Sequence, residues 1–307
     1  MEVRLLKRLE IKKTQLDGLR PLPVAAVNRL RDEILIEWIY NSNAIEGSTI
    51  TLQETRLILE TGLTVGGKSL REHFEVVNHR EAIQYVVDLV QNPEPITAFH
   101  VRQIHKLILT NIDDENAGSY RKTQVRIAGS PFIPPESWQI TSLMAEWGDW
   151  VTSAERSIHP VALAAQAHHR LVAIHPFIDG NGRTARLVMN LLLMRRGYPP
   201  AVILRANRRQ YYSVLAKADS GKMEALVNFV GRSVENSLNL YLEACTSRMK
   251  SPGLEDEWIP LRDACLGTTY SQEYLSLLAR LGRIEATKRG RNWYTTRRAI
   301  KAYQDSL

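Results

Sequence analysis

The chain has 307 residues, 44% apolar and 24% charged, the ordinary balance of a soluble globular protein with a sizeable core. Its two cysteines, Cys245 and Cys265, form no CxxC pair, which excludes a disulfide framework and a structural zinc site. Charges throughout the first thirty residues exclude an export signal, and LVMNLLLM falls short of the roughly 20 residues of a membrane span. A cytoplasmic protein free of the membrane is expected, and a formal charge of +7 weakly favours polyanionic partners.

Helical periodicity dominates from Val24 to about Lys250, so a mainly α fold is expected, with one large domain over 1–250 and a small one over 255–307. An apolar helix with IEWIY leads into NSNAIEGS, residues 41–48, which by itself reads as a polar helix end. Thr51 with Glu54, and Ser69 with Glu72, have the spacing of capping boxes that open the next two helices. Further helices are expected near 97–110, 138–152, 160–174, 183–196, 208–218 and 224–248.

Between Gly118 and Glu136 the pattern changes to alternation at Thr123–Ile127, a turn at Ala128, Gly129, Ser130 and Pro131, then Pro134-Pro135. This predicts a β-hairpin whose edge could take up a peptide as an added strand. Beyond Ser251-Pro252-Gly253, eight basic residues fall between Arg280 and Lys301 against Glu285 as the only acid. That segment resembles a winged helix-turn-helix, with strands at 284–287 and 293–295 about Arg289-Gly290-Arg291, and DNA is a candidate partner.

The densest chemistry lies in HPFIDGNGRTAR, residues 175–186. Pro176 must end the preceding helix, and the DGNG loop runs into the next, so free N–H groups and a positive helix end make an anion site. Gly180 and Gly182 clear space for phosphate oxygens, and Arg183 and Arg186 project from one turn to grip them. Asp179 suits Mg²⁺ carried on those phosphates, and His175 is a base near an incoming hydroxyl. The parts describe nucleotidyl or phosphoryl transfer to a side-chain hydroxyl; a plain turn between helices is the alternative for any one of them.

The stretch resembles, position by position, the Fic family motif HPF-x-[DE]-G-N-G-R-x-x-R. The likeness extends over most of 30–245, with the core at about 97–235, and points to the protein-adenylylating branch through GYPP (197–200) and Tyr211-Tyr212. The resemblance implies a Fic helical bundle in which His175 deprotonates a Tyr, Ser or Thr hydroxyl that attacks the α-phosphate of ATP. Asp179 would hold Mg²⁺, Asn181 and the loop N–H groups through Gly180, Gly182, Thr184 and Ala185 the α-phosphate, and Arg183 and Arg186 the outer phosphates. The hairpin would be the family's flap, docking a target protein as an added strand and bordering the nucleotide with Ile127, Ala128, Gly129 and Ser130. Tyr211 and Tyr212 would form the adenine and ribose pocket. Asp219 stands where the animal enzyme has an adenine-contacting asparagine.

Ser42, Glu46 and Gly47 also match the family's inhibitory motif [ST]-x-x-x-E-[GN]. That implies autoinhibition by pairing of Glu46 with Arg186, and the same carboxylate could serve removal of AMP. The resemblance further implies a homodimer and allows self-modification. Transfer of UMP or of a phosphoryl group, and a DNA-binding regulator with the helical core as passenger, are the alternatives.

Overall fold

The computed structural model describes the chain except residues 23, 93, 128, 251–256, 267, 269, 291 and 305–307, with backbone alone for 24–29 and 247–250. It divides into two units, Met1–Leu242 and Glu243–Leu307. The first is helical: α1 (Val3–Gly18), α2 (Val24–Glu46), α3 (Leu52–Thr61), α4 (Leu70–Gln91), α5 (Ala98–Leu109), α6 (Ile140–Ala154), α7 (Pro160–Ile174), α8 (Asn181–Arg195), α9 (Arg208–Asp219) and the first part of α10 (Met223–Lys250).

The organising element is α8. Leu187 to Leu193 are all buried, so every face must meet protein, and α7, α4, α5 and α2 supply the cover. Asn190, the polar residue within that run, is satisfied by the carbonyl and N–H of Ala201, which ties the stretch after Gly197 to the helix. The only other polar side chains of α8 in the core belong to its first turn.

Local signals fix the ends of its neighbours. Both expected capping boxes form, Thr51 with Glu54 on α3 and Ser69 with Glu72 on α4. His159 caps α7 by accepting from the Val161 N–H, with Pro160 at the first helical position. At the other end Pro176 stops α7, and His175 takes the left-handed conformation, φ 48° and ψ 59°.

Helix α1 had no counterpart in the periodicity, which set in at Val24. It is nonetheless held. Leu5, Leu9 and Leu16 recur at helical spacing and are buried, and Gly231 on α10 leaves room for them: a Cβ there would lie 2.9 Å from Leu5 Cδ2. Glu235 on α10 then receives Arg8 and Lys12 from α1.

The expected hairpin is corrected. The chain turns where the prolines and glycine suggested, with Ser130 N–H donating to Ile127 O at 3.1 Å, but no strand forms among the described residues of 120–135. Side chains hold the two limbs instead: Gln124 Nε2 donates to Pro134 O at 2.9 Å, and Arg121 to Thr123 O and Pro135 O. Proline lacks the N–H a ladder needs, so Pro131, Pro134 and Pro135 leave the returning limb few donors.

The second unit contains β1 (Ile259–Pro260), α11 (Leu261–Ala264), α12 (Gln272–Arg280), β2 (Ala286–Arg289), β3 (Asn292–Thr295) and α13 (Arg297–Gln304). Its antiparallel sheet runs β1-β3-β2, with Thr287 opposite Tyr294 and Lys288 opposite Trp293. Leu261, Leu275, Leu278, Ile284 and Ile300 make its core. The first wing strand starts two residues later than expected because Ile284 turns into that core.

Truncating Leu9→Ala should destabilise the first unit by about 2–5 kcal/mol, the usual cost of a core leucine. A urea unfolding midpoint unchanged from wild type would show that α1 is not part of the cooperative unit.

Candidate active site

The loop between α7 and α8 gathers the candidate residues at one end of the buried helix. Gly180, at φ 74°, is the residue before α8, and its carbonyl accepts from Thr184 N–H. The N–H groups of the first turn therefore face outward without intrahelical partners. Asn181, buried, spans the loop: its Nδ2 donates to Phe177 O at 2.9 Å and its Oδ1 accepts from Phe177 N–H at 3.0 Å. Its amide thus shapes the loop.

His175 faces this turn. Its Nδ1 lies 3.3 Å from Val172 O, so in the neutral imidazole Nδ1 carries the hydrogen and Nε2 the lone pair. Burial, aided by Arg121, holds its pKa below the ordinary histidine value, against Val172, Glu46 and Asp179, which favour the charged form. A neutral imidazole at pH 7 is one that can accept a proton.

The two arginines are sealed into protein. Arg186 Nη2 lies 2.8 Å from Glu46 Oε1 and donates at 2.8 Å to Ser42 O, and its Nε donates to Ser42 Oγ at 3.0 Å. Burial works against this charge, yet Glu46 and Tyr211 raise its pKa above the ordinary guanidinium value. Glu46 also lies over the helix terminus, since a Cβ on Gly182 would collide with its Oε1. Gly47, at φ 108°, lets the chain leave α2 directly after Glu46, and Arg208 Nε donates at 2.7 Å to Ile45 O, fastening that helix end. The carboxylate thus occupies the place where the sequence chemistry expected a phosphate.

Arg183 is engaged as well, by Glu75 on α4 at 3.1 Å and Asp179 at 3.5 Å. Asp179 in turn meets Arg71 at 2.6 Å through Oδ2 and Gly180 N–H at 2.6 Å through Oδ1. Although burial opposes its charge, Arg183, Gly180 and Arg71 keep Asp179 below the usual carboxylate range. Thr184 and Ala185 are buried in the first turn behind these groups.

Other expected residues fall elsewhere. Tyr211 is buried behind Arg186: Arg186 Nη1 reaches its hydroxyl at 3.5 Å, which donates to His168 Nε2 at 2.9 Å. Burial pushes its pKa up to about 12. It supports the arginine from the core, and the neighbouring Tyr212, part exposed beneath Arg208, is the tyrosine open to a ligand. Asp219 pairs with His169 at 2.9 Å. Ile127, Gly129 and Ser130 lie in the turn of the flap segment, and Ala128 lies outside the described residues. Two clefts between α1, α9 and α10, about 360 and 920 Å³, contain none of the loop residues.

Sequence reasoning missed Arg71, Glu75, His105 and Arg121. His105 on α5 accepts from Gly118 N–H with Nδ1 and donates from Nε2 to Asp179 O at 2.9 Å, while its ring stacks on Phe177 at 3.6 Å. It sits where IHKLIL reads only as an amphipathic helix.

The comparisons agree with this arrangement. Residues 95–193 match the model of the Fic/DOC family. A protein named protein adenylyltransferase Fic from Culex quinquefasciatus is 42% identical over 249 residues, covering 80% of this chain and 49% of that protein. A solved structure of Fic-1 from C. elegans, 32% identical, covers 80% of this chain and 72% of its own with a TM-score of 0.74. The chain belongs to the Fic/DOC family. A Fic family protein from Desulfovibrio desulfuricans, 24% identical, shares the fold over 96% of both chains with a TM-score of 0.67. This Fic chain spans about half the length of the curated relatives it matches.

Three histidines of the first unit are buried and neutral. His79 has no partner on either ring nitrogen and lies near Arg186 and Arg183; burial brings His168 down to about 3 and His105 to about 4. Unfolding restores a value near 6.5, so below that pH the unfolded chain binds more protons, and each site forfeits about 1.4 kcal/mol per pH unit down to its folded pKa. Stability is expected to be complete above pH 6.5 and to fall from there toward pH 4. Thermal unfolding at pH 7, 6 and 5 should show a steadily decreasing Tm; a flat Tm would mean that these rings are charged in the fold.

Proposed function

We propose that this chain transfers AMP from ATP to a hydroxyl on a protein, and that Glu46 restrains it. The observation that carries the reading is the Glu46 carboxylate held by Arg186 above the α8 terminus, because a guanidinium that holds a carboxylate over an open helix N-terminus is suited to a phosphate. The activity named for the relatives supports it.

In this reading the helix terminus and the two arginines hold the triphosphate, and His175 Nε2 takes the proton of the target hydroxyl as its oxygen attacks the α-phosphorus and pyrophosphate departs. Fixed N–H dipoles facing the reacting phosphate require no reorganisation when charge develops there. Asp179, ionised and at the mouth of the loop, fits a Mg²⁺ carried on the nucleotide. Among the described residues no three metal-ligating side chains converge, and Mg²⁺ that keeps phosphate oxygens and waters needs only one protein carboxylate. When bound it would neutralise phosphate charge. The flap segment is the proposed docking edge for the target protein, and exposed Leu57, Leu63 and Leu70 suit a second copy of the chain.

An Arg bound to a carboxylate cannot also clamp a phosphate, and a second anion beside it is repelled. Glu46→Gly should raise AMP incorporation, read by intact mass after incubation with ATP and Mg²⁺, by tenfold or more, and adding His175→Ala should abolish it. Equal incorporation by wild type and Glu46→Gly would remove the restraint from the reading.

The C-terminal module, which we place at 255–307 beyond a catalytic part at 1–250, supports a second activity. Arg280, Arg283, Lys288, Arg289, Arg297 and Lys301 are exposed, and none has an ion-pair partner among the described residues. Basic groups left unpaired on a winged fold suit duplex DNA. Affinity for a 30-base-pair duplex should fall steeply between 50 and 200 mM salt, and Lys288→Glu with Arg289→Glu should weaken it at least tenfold. No binding at 50 mM salt would dismiss this activity.

A further inference from the structure

Arg121 is almost fully buried, yet no carboxylate pairs with it among the described residues. Its guanidinium is spent on oxygens of three separate places: Nε on His175 O at 2.8 Å, Nη1 on Thr123 O at 2.9 Å and Gln124 Oε1 at 3.2 Å, and Nη2 on Pro135 O at 2.5 Å. Its own N–H donates to Pro176 O at 2.9 Å. A buried charge whose hydrogen bonds all go to carbonyl oxygens, with Glu136 acting only from a distance, is an expensive way to gain stability, and a planar fork of five donors is suited to fixing several acceptors in one geometry.

The acceptors are informative. One is the carbonyl of the candidate base, a non-glycine residue in the left-handed region that the surroundings must hold there. The others lie on the two limbs of the flap, where no ladder forms among the described residues and the backbone groups of 124–126 are left for an incoming strand. Among the described residues Arg121 is the one side chain that bonds both limbs and the His175 backbone.

We propose that Arg121 is the positioning residue that registers the target-docking flap against the His175 imidazole, so that a strand added to the flap presents its hydroxyl at Nε2. The inference rests on the adenylyl-transfer reading, and its alignment role does not require contact with nucleotide. Gln124 secures the limbs to each other through Pro134 O and accepts from Arg121, but makes no bond to the His175 backbone among the described residues.

The test uses the full chain carrying Glu46→Gly, alone and with Arg121→Met, Arg121→Lys or Gln124→Ala. Trypsin cleavage after Arg126 should accelerate at least tenfold in both Arg121 variants, and the His175 imidazole should titrate at a shifted pH by NMR. AMP incorporation should fall a hundredfold or more in kcat, with Kd for a non-hydrolysable ATP analogue changed less than threefold. Lys keeps the charge without the fork and should behave like Met. Should either Arg121 variant fail to fold, Gln124→Ala decides: it should speed cleavage severalfold and leave the His175 titration in place. Unchanged cleavage, or full rescue by Lys, overturns the proposal. If Glu46→Gly itself incorporates no AMP, the transfer reading fails separately, and the cleavage and titration still judge Arg121.

Discussion

Burying a guanidinium costs least with an anion beside it, and at Arg186 that anion comes from the fold itself. Arg186 is almost fully buried, backed by Tyr211 and His168, so solvent cannot neutralise it. The anion within reach is the Glu46 carboxylate at the end of α2. In the proposed reading the same cation serves either a side chain of its own fold or a ligand phosphate, and not both.

That constraint explains the central helix. Its apolar length is enclosed on all sides, which fixes the direction of the N-terminal turn and carries Arg183 and Arg186 into the interior, where their charges matter. Water around an exposed pair of arginines would reduce a phosphate contact to a weak surface attraction. Here Glu75 and Asp179 engage Arg183, and Arg71 engages Asp179, so the neighbouring charges form a chain of alternating sign along the loop. Releasing one member leaves the others partly satisfied.

The loop is held from beneath by side chains that bond its backbone. His105 stacks on Phe177 and bonds the carbonyl of Asp179, Asn181 braces Phe177, and Arg121 bonds the carbonyl of His175. Each acts on the main chain. Such contacts set the position of a side chain without touching it, His105 from α5, Asn181 from the start of α8 and Arg121 from the flap segment.

Within HPFIDGNGRTAR the chemistry was readable because its parts are local. Proline ends a helix at a fixed place, glycines open a helix terminus, and arginines three apart share a turn, all within twelve contiguous residues. The two capping boxes and most helix bounds were determined in the same way. The sequence by itself also determined that the flap segment turns, but its limbs are tied by side chains, and proline denied them the ladder that alternation suggested. Glu46 was visible through family resemblance alone. Glu75, Arg71, His105 and Arg121 became functional candidates only in the tertiary structure, because each meets the loop from another part of the chain, and periodicity places a residue on a helix face without saying which face it will meet. Burial by packing, not residue type, decided which charges count.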